Sequence, residues 1–214
     1  MPLTRARIST FAFFALNGFT FGMWVVNIPE IRDRTGASTV ALGYLLLLMG
    51  SVALIGMQVG GWLIDRFGSR TVLTVSGLAL SLVVVGPGFA TSTAGLAAAL
   101  VTFGAFNGVV DVAQNAQAVE VEREYGRPIM SSFHAFFSLG GLLASLLGGG
   151  LIALGVDVRW SLAGAAVAGV LLVLTASRTL LRPTHLTTRE PGAASSATRC
   201  PSSRSRASET RRTS

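Results

Sequence analysis

Residues 35–64 read TGASTVALGYLLLLMGSVALIGMQVGGWLI, a run of thirty residues without one charged side chain. A helix that crosses the hydrocarbon core of a bilayer needs roughly 20 mostly apolar residues, so this run is long enough. Backbone polar groups in lipid must be hydrogen-bonded within the element, which favours a helix. The strands of a membrane barrel alternate polar and apolar residues, and the stretch from Tyr44 to Met49 does not.

The rest of the chain repeats this pattern. Only 13% of its 214 residues are charged, whereas a soluble domain carries about a quarter. Within the long uncharged run after Arg70, Gly86-Pro87-Gly88 and Thr91-Ser92-Thr93 offer a break and a turn between two helices. The other uncharged runs lie between Arg7 and Glu30, between Arg127 and Asp157, and between Arg159 and Arg178.

The sequence therefore predicts an all-α membrane protein with six transmembrane helices in residues 1–182. The alternative is five spans, with one long kinked helix replacing the third and fourth. Residues 183–214 are rich in Arg, Ser and Thr and poor in large apolar residues, so we predict a disordered cytoplasmic tail there. The six predicted spans are 9–29, 40–64, 71–91, 94–118, 130–154 and 159–181.

The arginines predict the orientation, because cytoplasmic flanks carry an excess of basic residues. With the N-terminus inside, eight arginines flank the spans on the inner side and three lie outside. We therefore predict a multi-pass protein of the plasma (inner) membrane with both termini cytoplasmic. Because the basic residues flank membrane spans, the net charge of +7 indicates a lipid bilayer as partner and not nucleic acid. The single cysteine, Cys200, excludes an intramolecular disulfide.

The sharpest motif is GWLIDRFGSR at residues 61–70, between the second and third spans. Gly68 permits a tight turn, and Asp65 lies near the N-terminal end of the following helix, where negative charge is favoured. The motif resembles the loop signature of the major facilitator superfamily. The signature positions in this sequence are Gly61, Asp65, Arg66, Gly68 and Arg70. The alternative is an ordinary charged loop that obeys the positive-inside rule.

A second resemblance covers the fourth and fifth spans. The stretches GVVDVAQNAQ at 108–117, GRPIMSSFH at 126–134 and SLGG at 138–141 are similar to the fucose-permease-like branch of the same superfamily. The superfamily fold has twelve spans in two six-helix halves, so the resemblance implies that this chain matches the N-terminal half. One departure is that residues 94–110 contain no Arg, which is the usual partner of the loop aspartate.

Polar residues inside the spans are the candidate site. Asp111 lies well within the fourth span, where an ionisable group costs at least about 2.5 kcal/mol and normally faces a cavity or a partner. It is predicted either to couple transport to protons or to be a structural carboxylate bonded to Asn17, Asn115 or a nearby hydroxyl. His134 in the fifth span is a second proton-coupling candidate, with a hydrogen-bonded structural histidine as the alternative.

Candidate substrate-binding residues follow from the resemblance, which implies that the first and fourth spans line the cavity. They are Asn17 and Trp24 in the first span, and Asn107 and Asn115 in the fourth. Trp24 has a second interpretation, because tryptophan is enriched at the membrane interface.

The motifs of known enzyme classes are absent from the sequence: it has no phosphate-binding loop, no dinucleotide fingerprint, no nucleophile elbow and no helical pair of metal ligands. We therefore predict no enzyme activity, no cofactor and no metal. The predicted function is transport of a small solute by alternating access, as a proton-coupled secondary transporter of half length. Such a half needs a parallel homodimer or a partner half. The alternative is a non-transporting truncated remnant or a regulatory membrane subunit.

Overall fold

The computed structural model describes residues 2–181, so the predicted tail at 183–214 lies outside the described residues. The described part is helical throughout, and six of its helices are long and apolar enough to cross a membrane, which confirms the predicted fold class. The elements are α1 Pro2–Val26, α2 Ile28–Thr35, α3 Thr39–Phe67, α4 Ser69–Val83, α5 Gly86–Phe89, α6 Thr93–Tyr125, α7 Met130–Ala153 and α8 Val158–Ala176, followed by a 3-10 turn at Ser177–Thr179.

The connections are short because the sequence supplies capping residues at the points where the helices end. Gly68 alone separates α3 from α4, with a φ of 80° that disfavours any residue with a side chain. Ser38 and Ser92 accept hydrogen bonds from Ala41 and Gly95 and so cap the N-termini of α3 and α6. The third predicted span corresponds to α4 and α5 together, which form one membrane crossing at Ser69–Phe89.

The six spans pack in two layers. Helices α3, α6, α1 and α7 follow one another as a row of contacting neighbours, while α4 packs on α6, α8 packs on α1, and α4 contacts α8. Glycines allow the closest approaches within the row. A Cβ added to Gly18 or Gly140 would collide with a backbone carbonyl of α7 or α1, and one on Gly56 or Gly108 would collide in the same way between α3 and α6.

The buried core lies between the two layers, around large side chains such as Phe13, Leu73, Leu100 and Leu162. The outer faces of α3 and α7 are different, because they expose rows of leucines and isoleucines. Such side chains are stable only against lipid or another protein surface. Examples are Leu47, Leu54 and Ile55 on α3, and Leu139, Leu142 and Leu146 on α7.

Candidate functional site

The α6 stripe, which we define as Asn107, Asp111 and Asn115, lies in the middle of the row of helices and is half-buried. Within the part of the chain that the structure describes, the Asp111 carboxylate accepts hydrogen bonds only from its own helix. Gln114 Nε2 lies 3.2 Å from Asp111 Oδ1, and Asn115 Nδ2 lies 3.5 Å from the same oxygen and 2.8 Å from the Asp111 carbonyl. The ion pairs among residues 2–181 do not include Asp111. A carboxylate at this depth is therefore balanced by amides and not by a cation.

Two carbonyl oxygens near this carboxylate lack donors. Asn107 Oδ1 and Gln114 Oε1 are buried and have no hydrogen-bond partner among the described residues. An unsatisfied buried acceptor costs about 1–3 kcal/mol, so such atoms are usually met by water or by a ligand. The stripe is thus rich in acceptors, and a solute that carries hydroxyl or amide donors would satisfy it.

The α1 stripe, which we define as Asn17, Thr20, Trp24 and Asn27, is at most 1% exposed at each position. Thr20 Oγ1 donates to the Leu16 carbonyl at 2.9 Å, and Asn27 Nδ2 donates to the Met23 carbonyl at 2.7 Å. The structure therefore places these polar groups inside the bundle and not on an open face.

Asn17 and Trp24 keep one unpaired polar atom each. Asn17 Oδ1 and the indole Nε1 of Trp24 are buried without a hydrogen-bond partner in the described residues. Trp24 is also one of the largest fully buried side chains and belongs to the main core cluster. A solute would reach these two residues only if the helices around α1 moved apart.

His134 lies on the exposed face of α7, and its ring stands edge-on to Phe14 at a centroid distance of 5.2 Å. Its backbone carbonyl accepts a hydrogen bond from Ser138 Oγ at 3.4 Å. The structure gives the imidazole no hydrogen bond to the α6 stripe within residues 2–181.

The residues of the loop motif separate into two groups in the structure. Asp65 is exposed, and the guanidinium of the exposed Arg66 lies over the rings of Trp62 and Phe67 at 5.9 and 5.6 Å. Arg70 is half-buried, and its Nη2 donates to the Arg178 carbonyl at 3.2 Å, which ties the motif to the end of the last span.

The sequence reasoning missed a polar network behind this motif. Ser69 Oγ donates to Glu120 Oε1 at 3.0 Å and accepts from Gln117 Nε2 at 2.8 Å. Gln117 Nε2 also reaches the Leu181 carbonyl at 3.1 Å. The network joins the start of α4, the end of α6 and the end of the last span. The available signal was Glu120, an acidic residue beyond the predicted end of the fourth span.

A second missed cluster lies at the opposite end of the bundle, and we call it the Arg34 clamp, formed by Glu30, Arg34 and Asp157. Arg34 donates to Asp157 Oδ2 at 3.1 Å and to the Gly88 carbonyl at 3.1 Å, while Glu30 Oε1 accepts from the Val158 amide at 3.2 Å. The backbone N–H of Arg159 and the side chain of Arg34 hold the pKa of Asp157 below its ordinary value. Sequence reasoning had used Arg34 only to orient the protein.

Among the described residues, no group of three or more His, Cys, Asp or Glu side chains is placed to hold a metal ion. The α6 stripe offers hydrogen-bonding amide groups and one carboxylate.

Comparison with known proteins identifies the architecture. The family model described as Major Facilitator Superfamily matches residues 10–210. An uncharacterised MFS-type transporter of Yersinia pestis is 34% identical over 181 residues, which cover 85% of this chain and 47% of the relative. An uncharacterised transporter of Sinorhizobium fredii is 39% identical, over 65% of this chain and 37% of the relative. Membrane protein MosC of Rhizobium meliloti is 33% identical, over 80% and 42%. The chain spans less than half the length of these relatives.

Proposed function

Because this chain belongs to the major facilitator superfamily, whose members are transporters and not enzymes, we propose that it moves a small polar solute across the membrane by alternating access, coupled to protons through Asp111. The observation that carries the proposal is the half-buried carboxylate in the middle of α6, which no cation among residues 2–181 neutralises. A charge at this depth is costly, and reversible protonation removes the cost during the passage of the solute.

The acceptors around Asp111 support a solute with several hydrogen-bond donors. Asn107 Oδ1 and Gln114 Oε1 are unpaired, and Asn115 lies one turn beyond the carboxylate. A sugar or a related polyol has this chemistry, which agrees with the resemblance to the fucose-permease-like branch. We propose Asn107 and Asn115 as solute contacts, with Asn17 and Trp24 in a supporting position behind them. His134 is a second proton-exchanging group at the exposed face of α7.

We propose further that two six-helix units act together, either as a parallel homodimer or with a partner half. The chain spans less than half of its relatives, and the row of helices that carries the α6 stripe leaves apolar faces on α3 and α7 uncovered. Six crossings return the chain to the side on which it began, so both ends of the described part lie on one side. The arginine distribution favours the cytoplasm for that side, in the plasma (inner) membrane.

Transport is tested in proteoliposomes that enclose a pH-sensitive dye and carry an imposed pH gradient. Hexoses, polyols and sugar acids are added singly, and proton entry is followed with the wild-type chain, with Asp111→Asn and with Asp33→Asn. Asp33 is exposed and pairs only with Arg32, so its substitution is the matched control. At least one solute should drive proton entry with the wild type and with Asp33→Asn, but not with Asp111→Asn. If no solute drives proton entry in any variant, the proposed proton-coupled transport of a sugar or polyol is wrong, and the alternative of a non-transporting remnant or a regulatory subunit is favoured.

Pairing is tested by cross-linking in a background where Cys200 is replaced by Ser. Leu142 is 57% exposed on α7, and Leu171 is 59% exposed on α8. A chain with cysteines at both Leu54 on α3 and Leu142 on α7 should cross-link to its copy in membranes, because a twofold axis through the middle of the row brings α3 of one copy against α7 of the other. A cysteine at Leu171 should not cross-link. Equal cross-linking of the two variants would show that the chains collide at random, and it would contradict the proposed homodimer.

A further inference from the structure

An apolar groove runs along the outside of the bundle where α7 and α8 diverge over α1. Its outer part has a volume of about 560 Å³ and lies near the α7–α8 loop, between Leu154 and Trp160. A second cavity of about 310 Å³ continues it toward the middle of the span, and the two share Phe19, Leu147 and Ala168. We call the two together the α7–α8 groove.

The length of this groove matches one leaflet of a bilayer. From Trp160 to Leu172 it follows α8 for twelve residues, about 18 Å at 1.5 Å per residue. The hydrocarbon core of a bilayer is about 30 Å thick, so one leaflet contributes about 15 Å. Trp160 is 73% exposed at the end of the groove next to the loop, the position at which tryptophan marks a membrane interface.

The groove is kept open by glycines that have no packing role. A Cβ added to Gly150 or Gly164 would meet no atom within 4 Å, although both residues line the groove. The glycines between α1 and α7 behave in the opposite way, because a side chain on Gly18 would collide with the backbone of Phe137. Gly150 and Gly164 therefore maintain free space and not helix contact.

A single unpaired hydroxyl lies at the interfacial end of the groove. Ser161 is 2% exposed and lines the groove, and its Oγ has no hydrogen-bond partner among residues 2–181. Other buried hydroxyls in the spans, such as those of Thr20 and Ser76, donate to the carbonyl one turn earlier. For Ser161 that carbonyl belongs to Asp157, which already accepts from the backbone amides of Trp160 and Ser161.

We propose that the α7–α8 groove binds one acyl chain of a diester phospholipid from the leaflet on the side of the α7–α8 loop. Ser161 Oγ is itself buried, so its side chain rotates about the Cα–Cβ bond to donate a hydrogen bond to the ester carbonyl. An esterified chain has the polarity that the groove requires, because it is apolar along its length and carries one acceptor at the interfacial end. Water in the groove would gain no favourable contact with the apolar walls, and a plain hydrocarbon would leave the Ser161 hydroxyl without a hydrogen-bond acceptor.

A second groove on the bundle differs from the first in the state of its buried serine. It lies between α3 and α4 over α6, has a volume of about 540 Å³ and is lined almost entirely by apolar residues. Its buried serine, Ser76, donates to the Val72 carbonyl at 2.7 Å. Ser76 therefore has no free hydrogen to donate to an ester in that groove.

The test is native mass spectrometry of the purified chain with a diester phosphatidylethanolamine and with the diether lipid of the same headgroup and chain length. The wild type should retain one diester lipid about three- to tenfold more strongly than the diether lipid, the range expected for one neutral hydrogen bond. Ser161→Ala should bind both lipids equally, at the level of the diether. Gly164→Leu and Gly150→Leu should lose the bound lipid, because the new side chain fills the groove.

Gly50→Leu is the matched control, since Gly50 also has open space around its Cα but lies on α3 outside both grooves. It should bind lipid as the wild type does, and melting curves of all four variants should show that each is folded. Equal retention of the two lipids by the wild type would overturn the proposal, as would full retention by both Gly164→Leu and Gly150→Leu. Absence of any retained lipid would also overturn it and would favour a protein segment as the occupant.

Discussion

Two aspartates in this protein lie in opposite surroundings, Asp111 in the middle of α6 and Asp157 at the start of α8. The Asp157 carboxylate accepts hydrogen bonds from Arg34 and from the backbone amide of Arg159, and its side chain is 40% exposed. Among residues 2–181, the Asp111 carboxylate contacts only amide side chains of its own helix, in the middle of the span. The difference teaches that Asp157 fastens one end of the bundle, whereas Asp111 bears a cost to stability, which the proposed role in proton coupling would explain.

The largest effect is expected at Asp111. Asp111→Asn keeps the size of the side chain and one acceptor oxygen for Gln114 and Asn115, but it removes the ionisable group. We expect gradient-driven uptake to fall about tenfold or more, the equivalent of at least about 1.4 kcal/mol, while the melting midpoint stays the same or rises. Uptake is measured in proteoliposomes and melting in detergent. A fall in the melting midpoint that parallels the loss of uptake would place Asp111 with Asp157 as a structural residue.

A smaller effect on transport is expected at Asn107. Asn107 Oδ1 has no hydrogen-bond partner in the described residues. Asn107→Ala therefore removes an unsatisfied acceptor, and the stability of the fold should not decrease. We expect the KM for the solute to rise about three- to tenfold, the range of one hydrogen bond, with kcat little changed. An unchanged KM would show that Asn107 does not contact the solute.

At the other end of the comparison, Arg34→Met should affect stability and leave transport within about twofold. The substitution removes the hydrogen bonds to Asp157 and to the Gly88 carbonyl while keeping most of the apolar stem. We expect the melting midpoint to fall by a few degrees, because partly exposed ion pairs contribute little individually. Arg32→Met is the matched control, since Arg32 pairs only with the exposed Asp33. A tenfold loss of transport in Arg34→Met would contradict the assignment of a structural role to the Arg34 clamp and of a transport role to Asp111.

The smallest effect is a dependence of stability on pH. Because the folded chain holds the pKa of Asp157 below its ordinary value, the clamp stabilises the protein fully above the pKa of the unfolded chain, about 3.9. This contribution is lost as the pH falls through the lower folded value. The melting midpoint of the wild type should therefore drop more between about pH 5 and pH 3 than that of Asp157→Asn, which still caps α8. Parallel curves would show that Asp157 does not contribute.

The spans were predictable because charge-free runs of apolar residues have few alternatives in a membrane. The end of α6 was harder to predict, since the helix continues to Tyr125 while the predicted span ends at 118. Residues 119–125 include Glu120, Glu122 and Arg123. Because these residues are charged, the hydropathy of the sequence shows where the chain leaves the hydrocarbon core but not where the helix ends. Glu122 continues to act there, because its carboxylate accepts from the amides of Ile129 and Met130 and fixes the next turn.

Contacts between distant residues were not predictable from one sequence. Arg34 and Asp157 are 123 positions apart, and Ser69 and Glu120 are 51 apart, so no local pattern joins them. In the candidate site, the i to i+4 spacing of Asp111 and Asn115 anticipated their hydrogen bond. The burial of the α1 stripe was not anticipated, because a polar stripe on a membrane helix indicates a preferred face without telling which neighbour covers it.

The central claim is that Asp111 carries the proton that moves with the solute. It is tested most directly by measuring two modes of transport with Asp111→Asn in the same proteoliposomes, namely exchange of labelled for unlabelled solute and uptake driven by a pH gradient. Exchange needs no net proton movement, so we predict that it persists while gradient-driven uptake is lost. Retention of gradient-driven uptake at the wild-type rate would contradict the claim and assign Asp111 a structural role.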